Sequence, residues 1–195
     1  MKKERTRFWT RFIDESRIKK FLSRKRGIVY VFTGDGEGKT TAALGLGLRA
    51  LGHGKTVVVI QFMKGRKYVG EYRVQDIIKN YEVYQFGKEQ FVDLKHPDSE
   101  DRRLAQEGLN FARQTIKKRH DVLILDEINV VMNVGLIKTS EVVDLIKVTP
   151  KNMVLILTGR DAPKAIIKAA DVVSEVKKVK HMFDYGIFAK KAEQF

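Results

Sequence analysis

Between residues 28 and 51 an apolar run, a glycine-rich turn and a helix-forming run follow one another directly. Ile28-Val29-Tyr30-Val31-Phe32 has the composition of a strand, and Ala42 to Leu51 is rich in alanine and leucine. Between them lies Gly34-Asp35-Gly36-Glu37-Gly38-Lys39-Thr40-Thr41. A strand feeding a glycine turn that opens a helix is the context of a phosphate-binding loop. Glycines let backbone N–H groups turn inward around an anion, and the helix aims its positive end at the same point. Lys39 is placed to neutralise phosphate charge, and the Thr40 hydroxyl to complete a Mg²⁺ shell. The usual spacing of such loops would put the first glycine at position 33. This chain has Thr33 there and Gly34 one step later, so its glycines fall at 34, 36 and 38. A turn without a ligand needs one or two glycines; three followed by Lys-Thr-Thr point to nucleotide binding.

The rest of the chain continues the alternation. Strands are expected at 28–33, 56–62, 81–86, 121–125 and 152–158, with a short sixth at 170–176. Helices are expected at 39–51, 71–79 and 99–118, the last opened by Pro97-Asp98-Ser99. Thr56 to Phe62 is apolar on both faces, as in a strand buried inside a parallel sheet. The expected fold class is therefore α/β: a RecA-like, P-loop NTPase three-layer sandwich. Its mostly parallel sheet has five or six strands and helices on both faces. No internal repeat or linker divides the chain.

Charge is distributed unevenly. Residues 1 to 26 hold 11 Lys/Arg against 3 Asp/Glu, a net +8 of the chain's +14. Two organisational units follow: a basic N-terminal arm, 1–26, and a domain, 27–195. Phe8, Trp9, Phe12, Ile13, Ile18, Phe21 and Leu22 recur near helical spacing among the arm's charges. An amphipathic helix docking on this chain or on a second copy is expected. No run of about 18 apolar residues exists, so no membrane span is expected. The basic start lacks an apolar segment of the kind that follows in secretory signals. The chain has no cysteine, which excludes disulfides and thiolate metal sites. A soluble cytoplasmic protein fits these features.

A second acidic element complements the loop. Val122-Leu123-Ile124-Leu125 ends in Asp126-Glu127, two carboxylates at a strand tip. In phosphate-loop proteins an acid there holds Mg²⁺ directly or through water. Ligands of parallel sheets collect at the carboxyl ends of the strands. Thr158-Gly159-Arg160-Asp161 ends another strand at that edge, and Arg160 is placed to reach phosphate or ribose. Arg49, on the helix after the loop, reads as an exposed residue. On residues alone the chain is a Mg²⁺-dependent nucleotide-binding domain, with hydrolysis, kinase chemistry and alkyl transfer all open.

The sequence also resembles the P-loop type ATP:corrinoid adenosyltransferases. The resemblance runs through seven collinear blocks: Val31 to Ala43, Arg49 to Lys55, Val59 to Gly65, Leu125 to Asn129, Leu157 to Arg160, Ala170 to Glu175 and Val179 to Ile187. The displaced glycine, Thr33 then Gly34, is this family's pattern. The resemblance implies that cobalt(I) of a reduced corrinoid attacks C5′ of ATP and that tripolyphosphate leaves. It implies phosphate and nucleotide contacts from Gly34, Asp35, Gly36, Glu37, Gly38, Lys39, Thr40, Thr41, Arg49 and Arg160. Thr40 and Glu127, with Asp126 second in line, would hold Mg²⁺ or Mn²⁺, and Lys39, Thr40 and Glu127 would carry the catalytic role. Phe91, Gln61, Lys64 and His181 would meet the corrinoid, Phe91 as the wedge that shields its lower face.

Partners implied by the same resemblance are ATP, a corrinoid, a second copy of the chain and an electron-donating flavoprotein. No membrane is implied, and nucleic acid is not favoured. Three departures stand out. The usual Phe-Thr-Trp is replaced by Gln90-Phe91-Val92, Glu37 stands where a lysine is common, and the ending is Ala189 to Phe195. Two rival functions remain for comparison: a RecA-like, ATP-dependent nucleic-acid-binding protein, and a nucleotide-binding regulator without catalysis. Neither accounts for Gln61 to Gly65 or Lys180 to Asp184.

Overall fold

The computed structural model describes residues 14–90, 92–118 and 120–186. A short helix, α1 (Glu15–Leu22), precedes β1 (Ile28–Thr33), the glycine loop and α2 (Lys39–Leu51). Then come β2 (Val57–Phe62), α3 (Gly70–Arg73), a 3₁₀ turn (Val74–Asp76) and β3 (Tyr81–Phe86). The long α4 (Ser99–Lys117) leads to β4 (Val122–Asp126), α5 (Ile128–Asn133) and α6 (Thr139–Lys147). The last elements are β5 (Val154–Thr158), α7 (Lys164–Ala169), β6 (Val172–Glu175) and a 3₁₀ turn (Met182–Tyr185).

All six strands are parallel, in the order β3-β2-β4-β5-β1-β6. Every residue of β2 and of β4 is buried, as their largely apolar runs require of central parallel strands. Successive residues face opposite layers. Val58, Ile60, Leu123, Leu125, Leu155 and Leu157 meet α4, α5, α6 and α7 through Leu109, Val131, Leu145 and Ile166. Val57, Val59, Ile124 and Ile156 meet Ala43 of α2 on the other side. The three-layer α/β sandwich expected from the sequence is the fold of the chain.

Strand register carries the loop and the acidic tip to one edge. β5 lies between β1 and β4, so the glycine loop after β1 and Asp126 at the end of β4 flank Thr158 at the end of β5.

Some expected boundaries move. The 71–79 helix is α3 plus a 3₁₀ turn, with Tyr81 closing over it through a hydroxyl bond to the Glu71 carbonyl, 3.1 Å. Helices α5, α6 and α7 add to the expected elements. Ile128-Asn129-Val130-Val131-Met132-Asn133 offers no polar face, because Ile128, Asn129, Val131 and Met132 are all buried. Burial on most sides erases the 3.6-residue alternation that marks a surface helix.

Arg26, at the end of the arm as read from the sequence, is tied to the domain. Its guanidinium bonds Asp171 at 2.6 and 3.2 Å and the Ala169 carbonyl at 2.6 Å. Asp171 also accepts from Val29 N–H, 2.8 Å. The pair locks the start of β1 to the start of β6. Before it, α1 is capped by Asp14 and leaves Ile18, Phe21 and Leu22 exposed. Part of the expected amphipathic helix is thus present, with these apolar residues facing solvent. Phe8, Trp9, Phe12 and Ile13 lie outside the described residues.

Candidate active site

The loop after β1 is built by two left-handed glycines, Gly34 at φ 102° and Gly38 at φ 104°. Gly38 stands at the N-terminus of α2, so the helix begins at the point toward which the loop turns. Lys39 is buried, and its ammonium donates to the Gly36 carbonyl at 2.5 Å. Burial pulls its pKa down, an effect that Glu127 opposes and Arg160 reinforces.

Asp126 is the hub of the site. It is fully buried, and its carboxylate accepts from four side chains. The hydroxyls of Thr40 and Thr158 both reach Oδ1 at 2.7 Å. Lys64 Nζ reaches Oδ2 at 2.7 Å and Gln61 Nε2 at 3.3 Å. Burial opposes ionisation of Asp126. The Lys64 ammonium and the two hydroxyls outweigh that cost and hold the carboxyl below its usual range. Lys64 gains in return: burial would lower its pKa, and Asp126 raises it.

Gln61 is fully buried and extends the network, donating to Glu71 Oε1 at 3.2 Å and accepting from Gln85 at 2.9 Å. The end of β2, the loop helix and the ends of β4 and β5 are therefore bound to one carboxylate.

Glu127 follows in the left-handed region at φ 65°, with its N–H donated to Thr158 Oγ1 at 2.9 Å. Burial, and then the charge of Asp126, pushes its pKa up. The backbone reversal swings Glu127 out of the strand direction into a cavity of about 520 Å³. Phe62, Met63, Val92, Leu94, Val130 and Val134 give that cavity apolar walls; Lys64, Glu127, Arg160 and Asp161 give it charge. Met63, Glu127 and Asp161 are all non-glycine residues with positive φ, and all line it. Local strain of this kind concentrates at functional sites. A second, polar cavity of about 480 Å³ is lined by Asp35, Arg160, Lys178, His181 and Asp184. Arg160 borders both.

The backbone around Glu127 leaves no spare room. Gly159 sits at φ 126°, and a methyl group there would lie 3.1 Å from Asn129 Cβ and 3.2 Å from Glu127 Oε2. Its carbonyl accepts from Asn129 Nδ2 at 3.1 Å. Gly159→Ala is expected to destabilise the fold by about 1–3 kcal/mol, measured by urea unfolding, through left-handed strain and displacement of Glu127.

The structure thus brings together Gly34, Gly38, Lys39, Thr40, Lys64, Asp126, Glu127 and Arg160. Several expected residues are placed otherwise. Gly36 belongs to the loop, but its N–H donates to the Val176 carbonyl at 2.8 Å rather than into the cradle. Asp35 and Glu37 turn to the C-terminal segment, where Asp35 accepts from Lys178 N–H at 3.0 Å and Glu37 meets His181 at 3.5 Å. Thr41 is exposed in the first turn of α2. Arg49 is exposed in the last turn, about 15 Å along the helix from Lys39. Gln61 is buried and does not line the apolar cavity, and His181 borders the polar cavity. Phe91 lies outside the described residues.

Thr158 joins Asp126 to the Glu127 backbone, a role that residue order alone does not mark. The available signal was a threonine at the carboxyl end of an otherwise apolar strand.

The family described as ATP:corrinoid adenosyltransferase BtuR/CobO/CobP matches residues 25–195. The chain belongs to this family. Among its relatives, the corrinoid adenosyltransferase of Escherichia coli is 36% identical over 168 residues, covering 85% of this chain and 84% of that protein. The corrinoid adenosyltransferase of Salmonella typhimurium is 34% identical over the same coverage. That of Pseudomonas aeruginosa is 33% identical over 172 residues, 88% of this chain and 85% of that protein. The loop, Asp126-Glu127, Arg160 and the segment that follows β6 all fall inside the matched region of this family member, whereas most of the arm precedes it. Among the described residues no helix is long and apolar enough to cross a membrane.

Proposed function

We infer that this chain transfers the 5′-deoxyadenosyl group of ATP to the cobalt(I) of a reduced corrinoid, with release of tripolyphosphate. Family membership supports this reading. The structural observation that carries it is an apolar cavity that shares Arg160 with the polar cavity bordered by Asp35 of the glycine loop. The apolar walls suit a macrocycle, and the loop suits a triphosphate.

In the proposed reaction the cobalt(I) electron pair forms the Co–C5′ bond. The C5′–O bond breaks, its electrons pass to the α-phosphate oxygen of tripolyphosphate, and cobalt becomes formally cobalt(III). No protein nucleophile or proton transfer is required. The protein positions the two substrates and stabilises charge developing on the leaving group. Lys39 and the N-terminus of α2 face that charge from the loop, and Arg160 faces it from the divide between the cavities.

The donor set fits Mg²⁺. Among the described residues no cluster of three or more His, Cys, Asp or Glu side chains forms a metal cage. A hydroxyl and one or two carboxylates, completed by substrate phosphates, is the ordinary provision for this ion. Thr40 and Glu127 would hold it, with Asp126 as the buried partner of Thr40. The ion would supply charge neutralisation on the triphosphate.

The protein is further proposed to act in the cytoplasm as a homodimer whose corrinoid is reduced by an electron-donating flavoprotein. The exposed Ile18, Phe21 and Leu22 of α1 and the basic charge of the arm support that arrangement. Product analysis tests the chemistry. One tripolyphosphate is expected per adenosylated corrinoid; ADP and orthophosphate in its place would mark phosphoryl transfer or hydrolysis.

A further inference from the structure

The three loop glycines do not serve one purpose. A methyl group at Gly38 would meet nothing within 4 Å. One at Gly34 would fall 2.3 Å from the Val176 carbonyl oxygen, and one at Gly36 would fall 2.7 Å from the Lys177 carbonyl carbon. Gly34 and Gly36 are therefore small because the chain segment after β6 lies directly against them.

That segment is bonded to the loop as a strand is bonded to its neighbour. Val176 N–H donates to the Thr33 carbonyl at 2.8 Å, and Gly36 N–H donates to the Val176 carbonyl at 2.8 Å. The side chains between the glycines complete the grip. Asp35 accepts from Lys178 N–H at 3.0 Å, and that bond, before its other interactions, holds its carboxyl below the usual range. Glu37 meets His181 Nε2 at 3.5 Å. Lys178 in turn pairs with Asp184 at 2.8 Å, closing the segment on itself.

We propose that residues 176–185 form a strap that is one wall of the phosphate loop, and that Asp35 is the positioning residue that fastens it. The strap sets the loop's curvature from behind. It consumes the Gly36 N–H and leaves the remaining amides from Gly38 onward to face phosphate. It also carries Lys178 and His181 to the polar cavity beside Arg160. This explains the displaced glycine: Thr33 is needed where it stands, because its hydroxyl accepts from Ala162 N–H at 3.0 Å, a bond that glycine could not make.

The inference rests on ATP being the ligand of the loop, as in the proposed function. Its test reads ATP binding alone, without corrinoid, so that failure of adenosyl transfer is a separate result. In the full chain, Asp35→Ala is expected to weaken ATP binding about tenfold by calorimetry, the effect of one lost hydrogen bond to the loop's support. Amide hydrogen exchange at 176–178 should quicken in the same variant. Asp35→Asn keeps an acceptor oxygen and should remain within about twofold of the parent, since only the charge is lost. Gly36→Ala pushes the strap away by an independent route and should reproduce the alanine result. In turnover, the ATP KM should rise while the corrinoid KM stays unchanged. Equal impairment of Asp35→Asn and Asp35→Ala would show that the carboxylate charge, rather than the strap, is what matters. Unchanged ATP binding in Asp35→Ala with a loosened strap would also overturn the proposal.

Discussion

Replacing Lys39 by alanine is expected to lower kcat by about 10²–10³ while the protein remains folded. The magnitude is that of removing one fixed donor aimed at charge that develops in a transition state. Lys39 is buried at the start of α2, and its ammonium is held at the Gly36 carbonyl, 2.5 Å away. In ATP the triphosphate already carries negative charge, so part of the lysine's contribution appears in binding. The rest appears only when C5′–O cleavage adds charge to the leaving group. The ATP KM should therefore rise less than kcat falls. Steady-state kinetics under anaerobic conditions measures both. Near-normal kcat in Lys39→Ala would remove the loop from the chemistry.

The second large effect concerns the buried pair Asp126 and Lys64. Asp126 is wholly inaccessible, and the Lys64 side chain is 29% exposed. Removing one partner leaves the other charge, or its hydrogen-bonding groups, without compensation in the interior. Lys64→Met is expected to cost about 3–5 kcal/mol of stability, because Asp126 loses its counter-charge. Asp126→Asn should cost less, about 1–3 kcal/mol, because it offers Thr40 and Thr158 a poorer acceptor while the partly exposed Lys64 ammonium keeps Glu127 and Glu71 nearby.

The double variant should recover much of that loss, because a neutral pair avoids the isolated charge. It should not recover activity, because Thr40 and Gln61 are then no longer held by a carboxylate. Urea unfolding of the four proteins gives the cycle, and turnover of the same four separates packing from chemistry. Additive destabilisation would show that the two residues do not act together.

Much of this site could be read from residue order because its chemistry is local. The glycine loop, Lys39 and Thr40 are contiguous, and Asp126-Glu127 ends an apolar run that reads as a buried strand. The expected strands at 28–33 and 81–86 and the helix at 39–51 match the structure residue for residue. What sequence order did not disclose depends on long-range contact. Thr158 bonds a residue 32 positions away, and Gln61 reaches Asp126 across 65. The strap approaches the loop from more than 140 positions away. No local pattern encodes such pairings.

The same limit explains the placement of Asp35, Glu37 and His181. Lying in or near matching motifs, they read as ligand contacts. The fold instead turns the two carboxylates toward the C-terminal segment. Helices α5 and α7 escaped notice for another reason: each is six residues long. A helix that short shows less than two turns of periodicity.

The central claim is that the loop holds triphosphate as a leaving group for an attack by cobalt. Anaerobic mixing of the full chain with ATP, Mg²⁺ and a chemically reduced corrinoid tests it most directly. The cobalt(I) absorption should disappear, and a light-sensitive adenosylated corrinoid should form, with both changes slowed by about 10²–10³ in Lys39→Ala. Cobalt(I) that persists unchanged while ATP is shown by calorimetry to be bound would contradict the account.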